Sequence, residues 1–290
     1  MQKLFISGFF LFSLIFTACH DIEKKTMNGN EAQTLLTESV TASFIYSSTQ
    51  EDATRAGLQI ESSVKSAPES LSEYPVITVD PHDLTTWPKT ITIDYGPENI
   101  SSIDGHTRRG VMIVNAFNFP TVEDASWIID FDEYYFDDYK VEGTQSVKYT
   151  GENSSGHPVY NCTLSEGVIT SPDNKVFYFE QLTNREFVSG YNTHFDLTGN
   201  QEDFCDDEYK ITGTHSGVSS EGYIYTMSTT EPLLANVCCK WIMDGKLKVD
   251  MPDAELDCEI DYHPGPESGD LCNNEAVFTI FGISVPITLR

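Results

Sequence analysis

Five carboxylates crowd into one short stretch of this chain, at Asp130, Asp132, Glu133, Asp137 and Asp138. On a strand of period two, Asp130 and Asp132 project from one face, and Asp137 and Asp138 fall in the turn that follows. Calcium collects roughly six to eight oxygens from flexible loops, so Asp130, Asp132, Asp137 and Asp138 are the candidate ligands for one Ca2+. No other cofactor is implied. The run lacks the glycine-punctuated ladder of an EF-hand loop. The alternative is a solvated strand face entering a hairpin turn, where aspartate is a favoured residue.

Other chemistries find less to build on. Glycoside hydrolysis needs two carboxylates flanking one sugar bond. Among 45 acidic residues some pair meets that spacing by chance. A G-x-S-x-G elbow is absent, and Gly217-Val218-Ser219-Ser220-Glu221-Gly222 has the wrong spacing for one. The histidines are scattered and form no H-E-x-x-H or Cys/His zinc pattern. His194, His215 and Asp196 assemble into a triad only on paper. Six aromatics, Trp87, Trp127, Trp241, Tyr134, Tyr135 and Tyr139, offer material for a glycan-stacking platform, although Trp127 lies on the apolar side of its strand. No catalytic residue is assigned, and the chain reads as a non-enzyme.

The elements that must position these groups divide the chain. Ala32, Leu35, Leu36, Val40 and Phe44 recur at spacings of three and four, with Asn30 and Gln33 as a capping pair. Ser- and Thr-rich sequence from Ser47 to Ser72 weakens that pattern, so residues 30–74 read as a helix followed by a poorer helix or flexible linker. From about Pro75 the period becomes two. Trp127, Ile129 and Phe131 alternate with Ile128, Asp130 and Asp132; Ile283, Val285, Ile287 and Leu289 alternate with Ser284, Pro286, Thr288 and Arg290. This is the pattern of antiparallel strands with one face to the core and one to water. Pro286 cannot donate to a ladder, which places the last strand at an edge. Turn signals stand at Asp104-Gly105, Asp137-Asp138, Asp173-Asn174 and Asp244-Gly245. The expected fold is mainly β over residues 75–290: an antiparallel sandwich or one broad curved meander, behind a short N-terminal helical segment.

Composition narrows the partners. With 17 Lys+Arg against 45 Asp+Glu, the surface repels phosphate backbones, and nucleic acid is excluded as a partner. Leaving aside Cys19, the cysteines are Cys162, Cys205, Cys238, Cys239, Cys258 and Cys272, an even set that permits several disulfide maps. In a strand, the adjacent Cys238 and Cys239 would point to opposite faces and could not share one metal or one bridge. Cys239 with Cys272 is the expected pair, and buried free thiols are the alternative for several of the others.

The first residues carry an address. Lys3 is followed by an apolar run from Leu4 to Phe16, too short to span a bilayer, and then by Thr17-Ala18-Cys19. This resembles the lipobox of bacterial lipoproteins, with Phe16 where leucine is usual. The resemblance implies a signal peptide over residues 1–18, lipidation of Cys19 and a polar tether over 19–29. More than one acyl chain is what stable anchoring requires.

Two phrases recur in reversed order. Tyr139-Lys140-Val141-Glu142-Gly143-Thr144 echoes Tyr209-Lys210-Ile211-Thr212-Gly213-Thr214, and Ile93-Asp94-Tyr95 echoes Ile260-Asp261-Tyr262. Together with Thr90-Ile91-Thr92, with Asp104-Gly105-His106-Thr107-Arg108-Arg109-Gly110, with Cys239-Lys240-Trp241 and with Cys272-Asn273-Asn274, they resemble a group of uncharacterised Bacteroidota lipoproteins. The resemblance covers about Thr90 to Arg290. It implies an exported, lipid-anchored, mostly β protein of the outer membrane, on its periplasmic face or at the cell surface. Asp21 and Glu23 favour the surface. The resemblance implies no activity. The Pro-Gly-Pro insertion after Tyr262 and the extra Cys238 depart from the group's pattern. The expected role is a non-catalytic module that binds a protein or builds a surface assembly. A glycan-binding lipoprotein is the alternative and a hydrolase the more distant one.

Overall fold

The computed structural model describes residues 27–60, 75–102, 104–191, 205–254, 256–262, 271–280 and 282–288. Cys19, the leader and nearly all of the tether lie outside them, as do His194, Asp196 and Leu289.

Among the described residues one α-helix, α1, runs over Gly29–Leu58. Its cap is Asn28, whose side chain accepts from the backbone N–H of Asn30 (2.9 Å) and Glu31 (3.1 Å), while Glu31 Oε2 accepts from the Asn28 N–H at 2.8 Å. This is a capping box two residues upstream of the expected Asn30–Gln33 pair. The helix runs unbroken past Ser47 to Leu58, which corrects the expectation of a poorer helix or linker for that part. The remainder of the Ser- and Thr-rich stretch, from residue 61 on, lies outside the described residues. The hydroxyls of α1 bond one turn back, Ser48 to the Phe44 carbonyl at 3.0 Å and Thr54 to that of Gln50 at 2.9 Å. Its polar residues Thr49, Gln50 and Glu51 are buried against the sheet rather than exposed.

The rest is one antiparallel meander. Its strands are β1 Val76–Asp80, β2 Lys89–Asp94, β3 Ile100–Ser101, β4 Thr107–Ala116, β5 Ser126–Phe136, β6 Tyr139–Glu152 and β7 Pro158–Thr170. They continue with β8 Val176–Ser189, β9 Glu208–Val218, β10 Ile224–Asn236, β11 Asp244–Met251, β12 Leu256–Asp261, β13 Glu275–Ile280 and β14 Ile283–Thr288. Every strand pairs with its neighbours in chain order, except that β2 pairs with β4 and the short β3 pairs with β4 alone. Of the two architectures expected from the sequence, the structure is thus the single open sheet.

Helix α1 lies across one face of this sheet and divides the core. Leu35, Leu36 and Val40 join a cluster with residues of β8 to β13, including Phe187, Tyr225, Val249 and Ile260. Residues from Ala42 to Ile60 join a second cluster with β1 to β8, including Ile91, Met112, Trp127 and Phe179. Trp127 is buried, as its alternation predicts. Removing a buried leucine such as Leu35 from such an interface costs about 2–5 kcal/mol.

Local turn chemistry follows the sequence at most positions. Asp137 and Asp138 both take positive φ, +47° and +65°, in a two-residue loop that closes the Phe136↔Tyr139 pair. Asp244-Gly245 makes no hairpin; Gly245 sits inside β11 beside the Pro232 carbonyl. The two copies of the first recurrent phrase, Tyr139–Thr144 and Tyr209–Thr214, each supply a mid-strand kink. Gly143 and Gly213 have φ of +121° and +136°, and a Cβ there would meet Gly167 Cα at 2.8 Å and the Leu182 carbonyl oxygen at 2.2 Å. The similarity is thus a shared bulge device, in keeping with its reversed order.

The last strand departs from expectation on one point. It does form the edge, with Pro286 in it. Its alternating apolar residues are not a core face, because Ile283 and Val285 are 65% and 46% exposed. Among the described residues of that set only Ile287 packs on the core, since an edge strand is covered from one side alone.

Candidate functional site

The residues first suspected do not converge. Asp137 accepts from His106 Nδ1 at 2.6 Å and from the Thr107 N–H and hydroxyl at 2.8 and 3.1 Å. Burial opposes its ionisation, yet those hydrogen bonds win and hold its carboxyl at about 2. Asp138 is taken by Arg109 and by Asn99 Nδ2 at 3.0 Å, and Asp130 by the Thr144 hydroxyl at 2.7 Å. Asp132 is exposed opposite Val111. Among the described residues no group of three or more His, Cys, Asp or Glu is arranged to hold a metal. The calcium expectation at Asp130, Asp132, Asp137 and Asp138 is therefore corrected: Asp130, Asp137 and Asp138 are bonded to different neighbours, and Asp132 stands apart, exposed.

His215 is buried in the core beside Phe179, with its ring centroid 5.4 Å from that of the phenyl group, and burial pushes its imidazole down to about 4. Ser219 and Gly222 close the β9–β10 turn, and Glu38 of α1 clasps that turn by accepting from the Ser220 N–H (2.9 Å) and hydroxyl. Of the six aromatics, Trp127 and Tyr134 are buried, Trp87 packs edge-on against Phe119, and Tyr135 stacks under Arg109. Half-buried Tyr139 lines an open depression beside the start of α1, and Trp241 stands at the rim of a cleft.

That cleft is where charged groups do gather. It lies between α1 and the loop joining β10 to β11, and its volume is about 40 Å³. Its rim is apolar, with Phe44, Val237, Trp241 and Ile242 half-buried. Its floor is ionic: Glu51 and Asp52 from consecutive helix positions, Asp104 before β4, Arg108 from β4 and Arg185 from β8.

The floor is built by strand phase. Along β8 the inward positions are Phe177, Phe179, Gln181, Thr183, Arg185 and Phe187, so polar side chains follow the phenylalanines into the interior. Arg108 pairs across the sheet with inward-facing Phe136, over whose ring its guanidinium sits at 4.7 Å. Arg108 donates from Nε to Asp52 Oδ2 at 2.7 Å and from Nη2 to Asp104 Oδ2 at 2.6 Å. Tyr95 donates to the same Asp52 oxygen at 2.9 Å. Burial raises the Asp52 carboxyl above the usual range, Arg108 pulls it down and Asp104 pushes it up again. Deeper in, Tyr209 donates to Glu51 Oε2 at 2.8 Å, and Arg55 bridges Glu51 at 3.3 Å. Burial and the nearby Glu51 charge raise the Tyr209 phenol well above its ordinary value.

Two disulfides staple the mouth. Cys205 is joined to Cys238, and Cys239 to Cys272, the latter being the pair expected from the sequence. Cys238 and Cys239 lie in the β10–β11 loop rather than in a strand, and their two bridges tie it to the segment before β9 and to the β12–β13 loop. Cys162 and Cys258 remain buried free thiols, raised by burial to about 11 and about 12.

The chain matches no family model, no curated protein and no solved structure. The site must be read from its own chemistry. A general base needs a lone pair within reach of substrate. Here both Asp104 oxygens accept from the Arg108 guanidinium, and Asp52 Oδ2 is shared by Arg108 and Tyr95. Sequence reasoning did not bring Glu51, Asp52, Asp104, Arg108 and Arg185 together in one site, Asp104 reading only as a turn residue. The one local signal was in β8, where the alternation anchored by Phe177, Phe179 and Phe187 puts Arg185 on the inner side.

Proposed function

We propose that this chain is a lipid-anchored protein of the bacterial envelope whose folded part is a non-catalytic binding module. The observation that carries the binding half is the stapled cleft: an apolar rim over ionisable groups that mostly satisfy one another, a form suited to holding a ligand rather than turning it over. Mutually bonded charges are pre-organised, because no side chain has to be collected when a ligand arrives. The anchor half rests on Lys3, the apolar run and Cys19. The acidic balance disfavours nucleic acid as the ligand.

Labelled palmitate fed to expressing cells should enter the wild-type chain and not Cys19→Ala; equal labelling refutes the anchor. For the module, purified chain offered a panel of envelope polysaccharides and ester substrates should release no product. Turnover abolished by Asp52→Asn would sink the non-catalytic reading.

A further inference from the structure

Arg185 is the one buried cation of the cleft that lacks a counter-ion. It is 6% exposed. Its Nη1 donates to Gln50 Oε1 at 2.9 Å and more weakly to the Ser47 carbonyl at 3.4 Å. Its guanidinium carbon sits 4.0 Å from the centre of the Tyr209 ring, and its Nε has no hydrogen-bond partner. Gln50 is held in turn, donating to Gln145 Oε1 at 2.7 Å. The neighbouring cations are different: Arg108 bridges Asp52 and Asp104, and Arg55 bridges Glu51 and lies 4.0 Å from Asp207. Among the described residues Arg185 forms no salt bridge. Burying a guanidinium with only neutral acceptors is costly, and an unused buried donor adds to that cost. A ligand anion against the part of the guanidinium that reaches the cleft offsets the first penalty, while the enclosed Nε stays unbonded.

Size and surroundings restrict the anion. A site needs roughly 10–15 Å³ for each water-sized group. The cleft's volume of about 40 Å³ therefore takes about the three heavy atoms of a carboxylate group. Whatever bears that carboxylate must lie along the rim, against Phe44, Val237, Trp241 and Ile242, beneath the exposed Lys240. Such a rim suits an apolar stem and offers little to a hydrated inorganic anion. We infer that the cleft binds a monocarboxylate on an apolar stem, its carboxylate against Arg185 and its stem against Trp241 and Phe44. This inference rests on reading the cleft as the binding site and names the ligand class.

The test is calorimetric titration of the full chain in lipid nanodiscs, with empty discs as blank. The probes are 4-phenylbutyrate, the neutral 4-phenylbutanol and sulfate. The carboxylate should bind at least tenfold more tightly than the alcohol or sulfate. Arg185→Gln should erase that preference, and Trp241→Ala should weaken the carboxylate and the alcohol alike. Near-ultraviolet circular dichroism checks that Arg185→Gln is folded; if it is not, Trp241→Ala and the three-probe comparison on wild type still decide. Equal affinity for alcohol and carboxylate, sulfate binding as tight as carboxylate, or no binding at all overturns the inference. Absence of binding while palmitate still labels Cys19 overturns this inference alone and leaves the envelope assignment standing.

Discussion

Replacing Arg108 by methionine removes one guanidinium and strands two acids. Arg108 is 1% exposed, and its partners Asp52 and Asp104 have side chains 16% and 4% exposed. Methionine fills much of the volume, so the loss comes from uncompensated buried charge rather than from a cavity. Breaking a buried pair in this way costs about 3–5 kcal/mol. For a chain of this length that corresponds to a fall in Tm of roughly 5–8 °C, measurable by differential scanning calorimetry. Acidity supplies an internal control. The Asp52 carboxyl is already raised by burial, and loss of Arg108 raises it further. A carboxyl raised in the folded state binds more protons there than when unfolded, so stability increases as pH falls into that window. The deficit of Arg108→Met against wild type should therefore shrink between pH 7 and pH 5. Substituting Asp52→Leu and Asp104→Leu as well should restore most of the stability, since a wholly apolar replacement leaves no charge behind. A Tm within 2 °C of wild type, or a deficit that grows on acidification, would refute the reasoning.

Other outcomes follow from single features. Gly213→Ala should cost about 3 kcal/mol or more by urea titration, because φ is +136° and the new Cβ meets the Leu182 carbonyl at 2.2 Å. Gly29→Ala, at the open start of α1 with nothing within 4 Å, should be neutral or slightly stabilising in the same assay. His215, depressed to about 4 against an ordinary value near 6.5, is neutral in the fold, so stability should drop as pH falls from about 6.5 to 4, by about 3 kcal/mol. His215→Leu should flatten that slope, and an unchanged slope would assign it to other groups. Changing Cys239 and Cys272 together to alanine should lower stability by about 3–4 kcal/mol, the loop-closure value for the 33-residue separation. A melt unmoved by that double change would mean that the denatured chain gains no freedom from losing the bridge.

What the sequence determined by itself is the part of the fold written in neighbouring residues. Period two in Trp127–Phe131, the Asp137-Asp138 turn and the ladder-breaking Pro286 each follow from the backbone geometry of a few residues, and the strand class and the free edge followed from them. Tertiary structure alone decided where the charges went. Asp130, Asp132, Asp137 and Asp138 look like one site because they are close in sequence, but strand pairing leaves Asp132 exposed and gives the other three separate partners on β4, β6 or the loop before β4. The cleft gathers residues that are far apart in the chain: Asp52 and Arg108 are 56 positions apart, and Glu51 and Tyr209 are 158 apart. The continuation of α1 past Ser47 has the same origin, since Thr49, Gln50 and Glu51 are helical and buried only because the sheet supplies Gln145, Arg185 and Tyr209 to bond them. A polar side chain accepts burial when distant strands complete its hydrogen bonds, and no local pattern records which strands will do so.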